Sequence, residues 1–150
     1  MACTSIPAHN PAVPFLGKFH HPLHPGSKIR IGGMMTQGGD ERFVINLQSG
    51  PITNPRDDTA LHLSIRPRDQ TIVRNTYTNK QWGAEERSGH CPIIPGRPYD
   101  IEIAVRLDCF AIFVNGRHYC DFRYRAVRFN HVSFISVEGQ TNLRFVDIHH

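Results

Sequence analysis

Beyond about residue 14, no stretch of the 150-residue chain keeps an apolar face at the helical period. Short runs instead alternate polar and apolar residues between Gly, Pro, Asn and Asp. A run alternating every second residue has no continuous helical stripe to bury. Its apolar side must lie on a second sheet, or on the far wall of a barrel. Nine segments fit: SKIRIGG, RFVINLQ, ALHLSIR, TIVRN, YDIEIAVRLD, CFAIFVNG, HYCDF, HVSFISVEG and LRFVDIH. Between two of them, Asn115-Gly116 forms the pair that a two-residue hairpin turn demands. The class read from this pattern is all-β, an antiparallel sandwich or barrel of many short strands, with no internal repeat.

The length suits one domain with a sizeable core. The 17 Lys and Arg residues give a net charge of +4, but they are scattered, as on a solvated surface and unlike a nucleic-acid groove. No apolar stretch approaches the ~18 residues of a membrane span, so membrane insertion is not expected. Pro7, Pro11 and Pro14 mark residues 1–14 as a flexible or extended lead-in, an N-terminal extension or linker before a domain of residues 15–150. The opening MACTSIPAHNPAVPF has neither the basic nor the apolar region of a secretory signal, so none is expected. The cysteines at 3, 91, 109 and 120 lack CxxC spacing and read as free thiols of a reducing compartment. Ten histidines invite a metal, especially in FHHPLHP at 19–25, but its prolines break the backbone that would aim ligands and no Cys or carboxylate joins them. Neither a metal nor a cofactor is expected.

The informative strand is Leu61–Arg66. Alternation puts Leu61, Leu63 and Ile65 on one face and His62, Ser64 and Arg66 on the other. The second face then offers an imidazole, a hydroxyl and a five-donor guanidinium in a row, a set suited to an array of sugar hydroxyls. In TIVRN, Asn75 adds an amide. In NKQWGAEER, Glu85 and Arg87 stand two apart and can pair, while Arg66 and Arg87 together would keep that carboxylate ionised. Trp82 lies out of phase with Glu85, and Gly83 permits the bend that swings the indole over the polar row. A flat apolar ring beside directed donors and acceptors matches a sugar, with one C–H face and one hydroxyl face.

His62-x-Ser64-x-Arg66, Val73-x-Asn75 and Trp82-Gly83-x-Glu85-x-Arg87, in this order, resemble the carbohydrate-recognition signature of the galectins. The likeness runs from about Pro14 to Ile148. It implies a two-sheet jelly-roll sandwich whose concave sheet binds β-galactosides such as lactose or N-acetyllactosamine. By that resemblance His62 and Arg66 would grip the axial O4 of galactose, and Asn75 and Glu85 its O6. Trp82 would stack on the ring, while Glu85, Arg66 and Arg87 would reach the next sugar. It further implies synthesis in the cytosol, with any export bypassing a signal peptide, and glycan cross-linking only through a homodimer or a tandem second domain.

Two departures bear on affinity. The family usually has Asn-Pro where Ser64-Ile65 stands, so a structural or protein-interaction relative with weakened sugar binding is the alternative. The Arg66–Asn75 connection is also short, which would build less wall beside the second sugar. An enzyme is not expected: glycoside hydrolysis generally uses two carboxyl groups about 5–10 Å apart. Glu85, held by arginines, is a poor general acid. Arg56, in the loop SGPITNPRDD before His62, is a candidate extended subsite for an acidic group on galactose O3.

Overall fold

The computed structural model describes residues 2–150. The strands are β1 (Thr4–Ser5), β2 (Ala8–His9), β3 (Phe15–Lys18), β4 (Lys28–Met35), β5 (Phe43–Gln48), β6 (Thr59–Arg66) and β7 (Thr71–Thr78). They continue with β8 (Gln81–Trp82), β9 (Pro98–Val105), β10 (Cys109–Val114), β11 (Arg117–Arg123), β12 (Phe134–Gly139) and β13 (Thr141–His149). Two sheets result, ordered β1-β3-β12-β5-β6-β7-β8 and β11-β10-β9-β4-β13-β2. Every ladder is antiparallel except β1 on β3. The all-β sandwich is the class read from the alternation.

The core fills the space between the sheets. Phe43, Ile45 and Leu47 of β5, Leu61, Leu63 and Ile65 of β6, and Ile135 and Val137 of β12 face Ile29, Ile31, Ile101, Ile103, Phe110 and Ile112. Truncating any of these aliphatic side chains to Ala would cost about 2–5 kcal/mol. Asn115 and Gly116 close the β10–β11 hairpin with φ of 51° and 81°, as the dipeptide required. A second tight hairpin escaped the sequence reading. Asn79 and Lys80, with φ of 52° and 62°, join β7 to β8 and set Trp82 opposite Tyr77. Neither residue is glycine, so the turn carries no familiar signature.

The Pro-rich lead-in is extended and tied down. Its two short strands add to an edge of each sheet, and Ile6 and Ala8 enter the core. No helix among the described residues is long and apolar enough to cross a membrane.

Candidate functional site

The outer face of the seven-stranded sheet carries the polar row. Register aligns Ser136 of β12 with Asn46 of β5, Asn46 with His62 of β6, and His62 with Asn75 of β7. Asn46, Gln48 and Ser136 are wholly buried, so each must find partners within the protein. They find one another. Gln48 Nε2 donates to the carbonyls of Gly50 and Ile52, which leaves its Oε1 as an acceptor. Ser136 Oγ donates to that oxygen at 2.8 Å and so accepts from Asn46 Nδ2 at 3.3 Å. Asn46 Oδ1 is thereby turned toward His62 and accepts from its Nδ1 at 2.6 Å. The chain fixes the tautomer: Nδ1 carries the proton, and Nε2 is left as an acceptor for an incoming hydroxyl.

That imidazole is kept neutral by burial, helped by neighbouring positive charge. Burial, followed by the guanidinium groups of Arg56, Arg66 and Arg42, lowers the His62 pKa to about 4. Arg66 Nε donates to Ser64 Oγ at 2.9 Å. Ser64 is itself buried, so its hydroxyl supports Arg66 from beneath and does not face solvent. With Nε engaged, the Nη groups of Arg66 remain to meet a ligand. Arg66 forms no ion pair among the described residues. Its pKa is lowered by burial and then by Arg42, whose side chain neighbours it.

The indole sits at the edge of this row. Trp82 is 52% exposed. Its ring lies 4.6 Å from His62 and 4.9 Å from Tyr77, centroid to centroid, tilted against both. One flank is therefore braced by aromatics while much of the ring stays open, as a stacking platform requires. Glu85 and Arg87 pair at 3.0 Å. The expectation that Arg66 also holds Glu85 needs correcting, since only Arg87 is within ion-pairing distance.

Gly83 also has a different reason from the one inferred. Its φ is not in the left-handed region, but a Cβ there would meet Arg125 Nη1 at 2.7 Å and Thr76 Oγ1 at 2.9 Å. Close approach, and not backbone freedom, demands glycine. Asn75 is buried, with Nδ2 donating to Gly83 O and Oδ1 accepting from Arg125. Arg56 does not stand free in its loop. It donates to Gln48 Oε1 at 2.6 Å, to Ser136 Oγ at 3.4 Å, and pairs with Glu138 at 3.2 Å. The short β6–β7 connection is a 3-10 turn, Pro67–Asp69, whose Arg68 pairs with Glu41.

The seven expected residues thus share one region of the seven-stranded sheet and the loop after β8, with Ser64 and Asn75 beneath its surface. Asn46, Gln48, Ser136, Tyr77 and Arg125 join them. Only the alternation of Asn46 and Gln48 in RFVINLQ could have marked the first two as outward-facing. The described residues contain no cluster of three or more His, Cys, Asp or Glu suited to a metal.

Known proteins resemble this chain in sequence and fold. The galactoside-binding lectin family model matches residues 14–148. Human Galectin-4 is 35% identical over 143 residues, covering 95% of this chain and 43% of that protein. Rat Galectin-8 is 32% identical over 139 residues, covering 92% of this chain and 43% of its own length. The chain therefore spans less than half of these curated relatives. Among solved structures, the Caenorhabditis elegans galectin LEC-6 superposes with a TM-score of 0.80 at 27% identity, covering 96% of each chain. A human galectin-16 variant superposes at 0.85 with 23% identity, covering 95% of this chain and 99% of that one, a likeness of fold.

Proposed function

The chain belongs to the galectin family of galactoside-binding lectins, and we propose that its polar row and Trp82 bind terminal or internal galactose in lactose and N-acetyllactosamine units. The observation carrying this reading is the neutral His62 with its Nε2 lone pair set free, one ring away from an exposed indole. An axial O4–H can donate to that nitrogen while Arg66 donates back to the same oxygen. An equatorial hydroxyl would leave both groups unmatched, a loss of about 1–3 kcal/mol for buried polar groups. Trp82 covers the C–H face of the ring. Asn75 and Glu85 take O6, and Glu85, Arg66 and Arg87 extend to the second sugar. Ser64, by holding Arg66 Nε, supports sugar binding through the arginine even though it lacks the reach of Asn.

The finer points belong to the same proposal. Arg56 borders the O3 side and would take a sulfate or carboxylate there once Glu138 releases it. Cross-linking of glycoproteins or glycolipids would need a second site, from a homodimer or a tandem domain. Four free thiols fit synthesis in a reducing compartment. A glycan array run beside calorimetry tests the reading. Lactose should bind with roughly micromolar to millimolar affinity, as expected for a small ligand on an open surface. Equal heats for maltose would overturn it.

A further inference from the structure

We propose that Arg125, a residue on the segment after β11 and some forty positions from the Trp82 loop, is the positioning residue that orients the Asn75 amide and fixes the Trp82–Glu86 segment for sugar binding. The proposal rests on the galactoside reading of the site.

One guanidinium meets four acceptors. Nη1 donates to Asn75 Oδ1 at 3.0 Å and to Thr76 Oγ1 at 3.1 Å. Nη2 donates to Ala84 O at 2.7 Å and to Glu86 Oε2 at 2.9 Å. The group lies 4.9 Å above the ring of Phe122, which is wholly buried, so its plane is held by the six-stranded sheet. It thereby ties that sheet to the strand carrying Asn75 and to the loop carrying Glu85. A lysine has three donors and no fixed plane, and could not serve all four acceptors.

The chemical consequence falls on Asn75. Its Oδ1 is taken twice, by Arg125 and by the Thr76 backbone N–H at 2.7 Å. The amide cannot flip without setting its NH2 against two donors. Asn75 is therefore a pure donor at the site, with one N–H on Gly83 O and the other left for a sugar hydroxyl. The sugar O6 must accept from Asn75 and donate its own proton to Glu85. Arg125 sets the first half of that arrangement and, through Ala84 and Glu86 on either side of Glu85, supports the second. Gly83 belongs to the same device, since only a residue without Cβ lets the guanidinium approach.

The test compares wild type, Arg125→Lys and Arg125→Met, the last keeping an apolar stem over Phe122. Methyl β-galactoside and its 6-deoxy analogue are titrated by calorimetry, with circular dichroism to confirm folding. Wild type should prefer the 6-hydroxyl sugar. Both variants should bind methyl β-galactoside ~10-fold or more weakly, and the preference for the 6-hydroxyl should shrink toward one. In an Asn75→Ala background, Arg125→Met should cost clearly less than it does in wild type. Native galactoside affinity in Arg125→Met, or weakened affinity with an unchanged 6-hydroxyl preference, would overturn the proposal. If wild type binds no galactoside, the functional reading fails instead. Hydrogen exchange at the amides of Gly83 and Glu86 then still decides whether Arg125 holds the segment. Faster exchange in both variants upholds that role and unchanged exchange removes it.

Discussion

Replacing Trp82 with Ala should separate a binding platform from a core residue. The indole is 52% exposed. A Trp of 150–250 Å² therefore shows roughly 100 Å² to solvent. A galactose ring lying on half of that would hide ~50 Å² of indole and a similar ~50 Å² of its own C–H face. At about 25 cal/mol per Å², the contact contributes ~2.5 kcal/mol, close to a 70-fold change in affinity. On the protein side, the variant loses only edge contacts with His62 and Tyr77. That should cost about 1 kcal/mol and lower Tm by roughly 2–4 °C for a chain of this size. The assays are lactose calorimetry and a thermal melt followed by circular dichroism. In wild type, the single Trp makes the fluorescence shift on adding lactose unambiguous. A Tm loss beyond about 10 °C, several times that expectation, would show that Trp82 holds the fold. Lactose affinity within threefold of wild type, against the ~70-fold change worked from area, would show that it is no platform.

Protonation of His62 gives a second handle. Its folded pKa of about 4 lies below the ordinary 6.5, so the unfolded chain takes up the proton first. The stability it contributes should be complete above pH 6.5 and lost as pH falls to about 4, as melts across that window would show. Lactose affinity should stay flat at neutral pH and drop as pH nears 4, when Nε2 gains a proton and ceases to accept; a fall centred near 6.5 would contradict this. Glu138→Ala should remove the ion pair at Arg56 Nη2 while its Nη1 keeps Gln48 and Ser136. It should raise the preference for 3′-sulfated lactose over lactose by ~5-fold or more, as a charge-assisted hydrogen bond would. Adding Arg56→Ala should abolish the gain, and no gain in the single variant would make Arg56 purely structural. Iodoacetamide labelling after denaturation without reductant should modify all four cysteines.

The strands and the grouping of the seven candidate residues were readable because both depend on short-range order. Alternation within Leu61–Arg66 decides which side chains share a face. The Trp82, Glu85 and Arg87 spacing lies within one loop. What supports those residues was not readable. His62 owes its tautomer to Ser136, on a strand seventy-four positions later, through Asn46 and Gln48, and no local pattern ties these residues together. Arg125 looks like any surface arginine in RYRAVRF until folding brings it against Asn75 and Ala84. The sequence places Arg56 in the loop before His62 but cannot show that Glu138 of β12 folds beside it. Gly83 was assigned to a bend because its neighbour across space was unknown.

The most direct measurement is a calorimetric titration of lactose beside cellobiose, which differ only in whether O4 of the non-reducing ring is axial or equatorial. Recognition by the neutral His62 and Arg66 predicts that lactose binds at least ~10-fold more tightly, corresponding to about 1–3 kcal/mol for unmatched polar groups. His62→Ala should remove most of that difference. Equal affinities for the two sugars in wild type would contradict a galactose-reading site.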